Sequence, residues 1–407
     1  MRPTRSQFTT LKQVMELIPR NLVPKLAREH AVQGCSRAFS PWSHVVSMVF
    51  AQLSHALSLN DISDTLRNHS AAVSTIRRAT APSRNGLSHA NRNRNADMAE
   101  ALFWETLTVL SKTNPGFGMG RKYCGFPRRF KRIINVVDST TIKLVANCMG
   151  WANHRRRKAA AKCHMRLDLQ TFLPRFALVK AGNTGDVTEA RRVCEGVQAG
   201  EIVVFDKAYV DFIHLFELAE RGVFWVTRSK ENMRYRVVAV HTQPCGSILR
   251  DVRIRTTGQD THKTYPTELR LVEATVEIDG KEQVMTFLTD NFEWAPSSIC
   301  DLYKGRWGIE VFFKQIKQTL QLADFLGYNE NAVRWQIWTA LLTYVLLRFI
   351  AFMTRWQRSF PRLFAAVRGV LWDRMELQSM LDFCGTAHGP PRMAAAPYQA
   401  YLPGFAL

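Results

Sequence analysis

A chain of 407 residues has room for two or three domains. Its 46% apolar share, with 24 Phe and 10 Trp, excludes a largely disordered protein. Fifty-five Lys and Arg against 34 Asp and Glu leave a formal charge of +21, which points to a polyanion and to salt-dependent association. Nucleic acid is the first candidate, although a ribosomal surface or an anionic membrane would also accept such a charge.

No continuous apolar stretch of a secretory leader lies between Met1 and Pro19. The most apolar segment, 339–353, is shorter than the roughly 20 residues a bilayer needs and contains Arg348, so a buried helix is expected and no membrane span. The eight Cys include no C-x-x-C pair, which argues against structural zinc and suits a reduced, cytoplasmic protein. Cys163, His164 and His154 lack the second pair that would complete a tetrahedral site.

In chain order, the apolar spacing predicts helices over 10–18, 43–57 and 58–67, the last with Asn60 or Asp61 as its cap. A basic, Asn-rich connection is expected from Pro82 to about Asn95, then a helix from Met98 to Leu110. From Ile133 the period changes. Short apolar runs predict strands at 133–137, 142–145, 165–172, 175–179, 201–205 and 223–227, with helices at 187–197 and 211–221. Strands that come to alternate with helices describe an α/β core. Residues 235–289 read as a β-rich insertion of four strands, 235–241, 248–255, 269–278 and 283–288. One long helix is expected from Pro296 to about Gln321, a second over 332–353, and a loosely packed tail from Gly385.

Asp138 is expected at the carboxyl end of one core strand and Asp206 at the end of another, where α/β sheets place their sites. Two neighbouring carboxylates repel unless a cation lies between them, so a pair of divalent ions would explain both. On a helix turning about 100° per residue, Tyr303, Arg306, Glu310 and Lys317 fall within an arc of about 60°. That stripe sets a third carboxylate beside two cations and a phenol, an assortment suited to phosphodiester chemistry: hard oxygens for Mg²⁺ or Mn²⁺, cations for phosphate. Singly, each acid has a plainer reading. Asp138 and Asp206 could cap turns, and Glu310 could be a solvated partner of Arg306.

These residues resemble the signature of the IS4 group of bacterial transposases: Tyr303, two residues, Arg306, three residues, Glu310, six residues, Lys317. The blocks 136–140 around Asp138 and 204–209 around Asp206 are similar in order and setting, with Lys207-Ala208 where many members carry Arg-Gly. Lys162, His164 and Asp168, Gly327, the 331–338 segment and the 87–94 segment also resemble family stretches. The resemblance implies an α/β, ribonuclease H-like mixed-sheet core, similar to retroviral integrase, with an inserted β-rich subdomain and an all-helical N-terminal domain. The corresponding division is 1–95 helical and DNA-binding, 96–131 linker helix and basic connection, 132–234 first part of the core, 235–289 insertion, 290–355 core helices and 356–407 extension. It further implies that Asp138, Asp206 and Glu310 hold two Mg²⁺ ions, with Mn²⁺ able to substitute. A homodimer on DNA would cut both strands at terminal inverted repeats and join the freed 3′ ends to target DNA, working at the bacterial nucleoid.

Further DNA contacts are expected from Arg155, Arg156, Arg157 and Lys158, whose plainer alternative is a solvated loop, and from Lys162 and His164 by the resemblance. A second basic block, Arg121, Lys122, Arg128, Arg129, Lys131 and Arg132, could extend the track. Trp151 and Trp307 are candidates for stacking on an unpaired base, with core packing the competing role for Trp307. Two rival functions fit the same residues: a structure-selective nuclease without strand transfer, and a non-catalytic basic DNA-binding protein.

Overall fold

The computed structural model describes residues 3–32, 39–118, 130–144, 148, 151–155, 158–181, 185–278, 281–320, 322 and 325–384. Two compact units make up the chain, one of Met1–Met119, Ile142–Ala161 and Lys314–Pro397, the other of Gly120–Thr141, Lys162–Phe313 and Tyr398–Leu407.

The first unit is mainly helical. Serines and an asparagine start its helices: Ser40 caps Pro41–Ser54, Ser83 caps Arg84–Asn93 and Asn329 caps Glu330–Met353, each side chain accepting a backbone N–H that would otherwise go unpaired. The helix expected at 58–67 begins one residue later, at Leu59, because Ser58 is its cap and Asp61 closes the reciprocal half of a capping box. Where a connection was expected from Pro82 to Asn95, the chain forms the helix Arg84–Asn93. Asn is a poor helix former, but Asn91 turns inward, where its Oδ1 lies 2.7 Å from His44 Nε2. Burial holds His44 well down, at about 3, so the contact is made by a neutral imidazole.

Glu330–Met353 is the central helix of this unit, packing on Asp97–Thr113 and Pro41–Ser54. Among the described residues it alone is long and apolar enough to cross a membrane, yet 78% of its most apolar window is buried inside the protein. Asn331 fixes its first turn, donating to the carbonyls of Asn91 (3.0 Å) and Arg94 (2.6 Å) and accepting from Ala96 N–H (2.9 Å). Residues near the two ends of the described chain meet here too: Ser6 N–H donates to Arg374 O and Thr10 N–H to Asp373 O. Helices Phe360–Gly369 and Leu377–Phe383 follow, and the tail expected from Gly385 lies outside the described residues.

The strands, in chain order, are β1 (Ile134–Leu144), β2 (Asn153–Arg155), β3 (Lys158–Asp168), β4 (Pro174–Ala181), β5 (Ile202–Phe205), β6 (Phe224–Arg228), β7 (Tyr235–Thr242), β8 (Ile248–Thr256), β9 (Leu269–Ile278) and β10 (Lys281–Thr289). In the first unit β2 pairs with the start of β3, Asn153 opposite Ala159. The second unit is built on one mixed sheet in which β4 pairs with β3 and the order continues β3-β1-β5-β6-β10-β9-β8-β7. β1, β5 and β6 run parallel, and β10, β9, β8 and β7 follow antiparallel. The order β4-β3-β1-β5-β6 is that of a ribonuclease H-like core. β5 is buried at all four positions, and Phe205, Trp225, Leu215 and Leu218 join one apolar cluster with residues of helices Asp186–Val193 and Phe212–Glu220.

The four strands at 235–289 form as read and extend the core sheet through the β6–β10 pair. The helix expected to run unbroken from Pro296 is interrupted: Pro296–Gly305 ends at Arg306, Trp307–Lys314 follows, and a π-helical turn takes over at Gln315–Thr319. Gly305 is a weak helix former beside the break. At Gly308 a Cβ would stand 2.9 Å from Leu169 and 3.1 Å from Phe172, so glycine there lets the second piece lie close against the β3–β4 turn.

A buried ion pair secures the approach to these helices. Arg270 on β9 and Asp251 on β8 meet through two 2.8 Å bonds with both side chains wholly buried, and Arg270 Nη1 also donates to Trp294 O (2.6 Å) just before Pro296. Arg270→Met should destabilise the protein by about 3–5 kcal/mol, because Asp251 would be left buried and unpaired. Urea unfolding of that variant and of the double change Arg270→Met, Asp251→Leu checks this: the double variant should recover most of the loss. Equal stability of wild type and Arg270→Met would refute it.

Candidate active site

Parallel register brings the first two acids together. Val137 on β1 is the partner of Phe205 on β5, so the next residues, Asp138 and Asp206, emerge side by side at the point where that pairing stops. Neighbouring strands lie about 4.8 Å apart, which sets the scale of the separation between their backbones. Asp138 is not at a strand end, as expected from sequence: β1 continues through it to Leu144, carried by the β-branched run Thr140-Thr141-Ile142. Asp206 does end its strand and leads into the 3₁₀ turn Lys207–Tyr209, with Tyr209 N–H donating to Asp206 O (3.0 Å).

The broken helix supplies the other side. Arg306, at the break, is 7% exposed and donates Nη1 to Asp138 Oδ2 (3.1 Å) and Nη2 to Glu310 Oε1 (2.8 Å). Tyr303, buried against Phe287, donates its hydroxyl to Asp206 Oδ1 (3.3 Å), and the Arg306 guanidinium lies 5.5 Å from its ring centre. Asp138, Asp206, Glu310, Tyr303 and Arg306 therefore form one connected constellation. Lys317, the fourth member of the expected stripe, lies on the π-helical turn and belongs to the other unit. Trp307 is half-buried at the start of its helix.

Charge and burial divide the acids. Burial is the main force pushing the Asp138 carboxyl up, to about 6; Arg306 and the Ser139 N–H oppose it, while Asp206 and Glu310 add to it. Burial also tends to deprotonate Arg306, but Tyr303 and the surrounding carboxylates outweigh it and hold the guanidinium above its usual value. Burial raises the Tyr303 hydroxyl to about 12, so it remains a donor at neutral pH. The Glu310 side chain is 53% exposed, the most open of the constellation's charged groups.

Sequence reasoning missed a second layer behind Asp138. Asp186, the first residue of its helix, accepts from Ser139 Oγ (2.6 Å) and Lys162 Nζ (2.8 Å), and its Oδ1 is 3.5 Å from His164 Nδ1, itself 3.1 Å from the Tyr209 hydroxyl. Burial works against the Asp186 anion, but Lys162 and Ser139 prevail and hold its pKa below the usual carboxylate range. In sequence, an Asp in the first turn of a helix reads only as a favourable charge at its N-terminus. Lys162 and His164, expected to touch DNA, are directed into this layer; the His164 side chain is 0% exposed and burial lowers it to about 4. Asp168 shapes the β3–β4 turn, accepting from Gln170 N–H and from Arg175.

Most of the expected basic track lies outside the described residues. Arg156, Arg157, Arg121, Lys122, Arg128 and Arg129 lie outside the described residues, and for Arg155 and Lys158 only the backbone, in β2 and β3, is described. Trp151, in the first unit, is half-buried and donates Nε1 to Tyr328 O (3.1 Å). Among the described residues, no three His, Cys, Asp or Glu side chains are gathered closely enough to hold an ion between them. The donor chemistry nevertheless suits a hard divalent cation, since Asp138 and Glu310 share one buried guanidinium and Asp206 holds the neighbouring Tyr303 hydroxyl.

Comparison with known proteins accounts for this layout. A family model described as "Transposase DDE domain" matches residues 129–346, more than half of the chain. The chain belongs to the DDE transposases. A second model, a domain of unknown function (DUF4372), matches residues 6–73. The putative transposase y4zB of Sinorhizobium fredii is 31% identical over 291 residues, 70% of this chain and 78% of that protein. The probable transposase of element IS5377 from Geobacillus stearothermophilus is 28% identical over 56% of this chain and 59% of its own length. Transposase InsG of element IS4 from Escherichia coli is 25% identical over 39% of this chain and 37% of its own. The protein is thus an IS4-group-like bacterial transposase, related to the ribonuclease H and integrase fold, and this membership supports enzymatic activity.

The raised Asp138 carboxyl predicts a pH effect on stability in metal-free buffer. The folded state binds that proton more tightly than the unfolded chain, so stability falls as pH rises from about 4 through about 6 and the cost is then complete. Asp138→Asn removes the cost and should gain up to about 2–3 kcal/mol at pH 7.5, with a smaller gain at pH 5. Urea midpoints of both proteins in chelator decide it; a variant less stable than wild type at pH 7.5 would contradict the assignment.

Proposed function

We propose that this transposase cuts DNA at the inverted-repeat ends of its mobile element and joins the freed 3′ ends to target DNA, with Asp138, Asp206 and Glu310 as the ligands of two Mg²⁺ ions. The observation that supports this most is the connected constellation beside the point where β1–β5 pairing stops, in which one buried Arg306 bridges Asp138 and Glu310 while Tyr303 holds Asp206. Mn²⁺, equally content with oxygen donors, would substitute. Bound divalent ions supply Lewis acidity, which makes a water or a terminal 3′ hydroxyl nucleophilic and eases departure of the leaving oxygen.

The chain's own groups do the rest. Arg306 offers its remaining N–H edges to a phosphate oxygen, Tyr303 orients Asp206 and presents a neutral hydroxyl, and Lys317 adds a cation for the DNA strand. Arg155, Arg156, Arg157 and Lys158 grip the backbone, giving affinity without base selectivity, and Trp307 or Trp151 offers a face for an unpaired base. Two ends must be handled together, so the working species is a homodimer on DNA.

Asp138→Asn, Asp206→Asn and Glu310→Gln keep the side-chain size and remove an anionic ligand. Each should still bind terminal DNA yet lose at least about a hundredfold in cleavage with Mg²⁺, and fail to join a supplied 3′ hydroxyl end to a plasmid. Folded Glu310→Gln that cleaved and joined at the wild-type rate would remove Glu310 from the ligand set. Cleavage without any joining by the wild type would favour a nuclease.

Replacing Arg155, Arg156, Arg157 and Lys158 together by Ala should weaken binding to specific and unrelated DNA alike. Its logarithmic dependence on salt should also flatten, by up to about 0.9 in slope for each phosphate that the variant no longer neutralises. Titrations from low to moderate salt measure this. Superimposable wild-type and variant curves would exclude those residues from the interface.

A further inference from the structure

The layer behind Asp138 joins the elements that carry both aspartates. From β1, the Ser139 hydroxyl donates to Asp186 at 2.6 Å, and the Ser139 backbone N–H donates to Asp138 Oδ1 at 2.7 Å. One residue therefore transmits the position of Asp186 to the carboxylate of Asp138. From the turn after β5, the Tyr209 hydroxyl lies 3.1 Å from His164 Nδ1, which faces Asp186 Oδ1, while Tyr209 N–H donates to the carbonyl of Asp206. β3 supplies the counter-ion, Lys162, on the other Asp186 oxygen at 2.8 Å.

The need for such a brace follows from the register. Pairing of β1 with β5 stops at Val137 and Phe205, so the ladder between these two strands does not extend to Asp138, which lies within β1, or to Asp206, which lies past the end of β5. Asp186 is well placed to substitute for that ladder. It sits at the N-terminus of an eight-residue helix, which favours its anion, and its side chain is only 20% exposed. His164 Nε2 is buried and has no hydrogen-bond partner among the described residues, so the imidazole is engaged on its Nδ1 side alone.

We infer that Asp186 is a positioning residue, which acts through Ser139 on one side and through His164 and Tyr209 on the other to fix the spacing of Asp138 and Asp206 for divalent-cation binding. It touches neither ion nor DNA. The inference rests on the proposed ligand role of the two aspartates, and groups that orient metal ligands in this way commonly carry about ten- to a hundredfold in metal affinity.

The test is Mn²⁺ binding to the full-length protein by calorimetry, with DNA affinity and thermal unfolding measured on the same samples. Ser139→Ala breaks the link while removing a single hydroxyl, and Ser139→Thr restores a hydroxyl on a strand that tolerates β-branching. Ser139→Ala and Asp186→Asn should each weaken Mn²⁺ binding by about tenfold with DNA affinity within about twofold of wild type, and Ser139→Thr should recover most of the loss. Wild-type Mn²⁺ affinity in folded Ser139→Ala would overturn the inference. So would complete loss of binding in Asp186→Asn with none in Ser139→Ala, because Asp186 would then be a ligand. Asp138→Asn is the control for the underlying reading: unchanged Mn²⁺ binding there would refute the ligand assignment itself, and is a separate result from failure of the brace.

Discussion

The constraint on which this site depends is the electrostatic cost of bringing Asp138, Asp206 and Glu310 into one place without losing the fold. Arg306 meets it. Its guanidinium is planar, permanently charged and able to serve two carboxylates at once, which it does at 3.1 and 2.8 Å while nearly buried. A lysine would offer a single point charge in the same space. Placing this arginine at the interruption between Pro296–Gly305 and Trp307–Lys314 lets it turn inward, although Glu310, four residues on, remains half open to solvent. The constellation thus has an internal cation of its own, and anything that binds the carboxylates must compete with or displace it.

The sheet imposes the other half of the arrangement. Parallel pairing of Ile134 through Val137 with Ile202 through Phe205 fixes a register in which two remote acids become neighbours. The apolar residues before them bury completely on both faces, so a slip would exchange Val136 or Phe205 between two packed faces and is opposed by the repacking it demands. Extension of the same sheet through β6, β10, β9, β8 and β7 gives the helix carrying Tyr303 and Arg306 a rigid seat, Tyr303 packing on Phe287 of β10 and the Arg270–Asp251 pair tying down the segment before Pro296.

Much of this is legible from residues alone, and the failures have identifiable causes. The strands of 201–289 are readable because β-branched and aromatic runs are separated by turn residues, and the acids stand out because each follows or flanks such a run. Helix Arg84–Asn93 is not, since its Asn, Gly and Ser content mimics a loop until Asn91 finds His44 in the core. A single helix through Glu310 and Lys317 assumes one uniform period; a break and a π turn change the phase, so Lys317 cannot be placed by a 100° wheel. Lys162 and His164 are recognisable as chemistry-bearing residues, but sequence does not reveal that both side chains meet Asp186. Asp186 itself leaves no signal beyond that of an acid in the first turn of a helix.

Asp138 and Asp186 show how two buried carboxylates linked through one serine can be given opposite character. Asp138 receives a backbone N–H and part of one guanidinium, too little to offset burial and two nearby acids, and its proton is held up to about 6. Asp186 receives an ammonium, a hydroxyl and a helix N-terminus, and its anion prevails over the same kind of burial. The first is an anion short of positive charge and therefore receptive to an added cation. The second is already satisfied and gains nothing from one. Sequence order alone would not separate these roles, since both are aspartates beside small residues; the difference lies in how many donors the fold delivers to each, and it favours Asp138 as the ligand and Asp186 as the support.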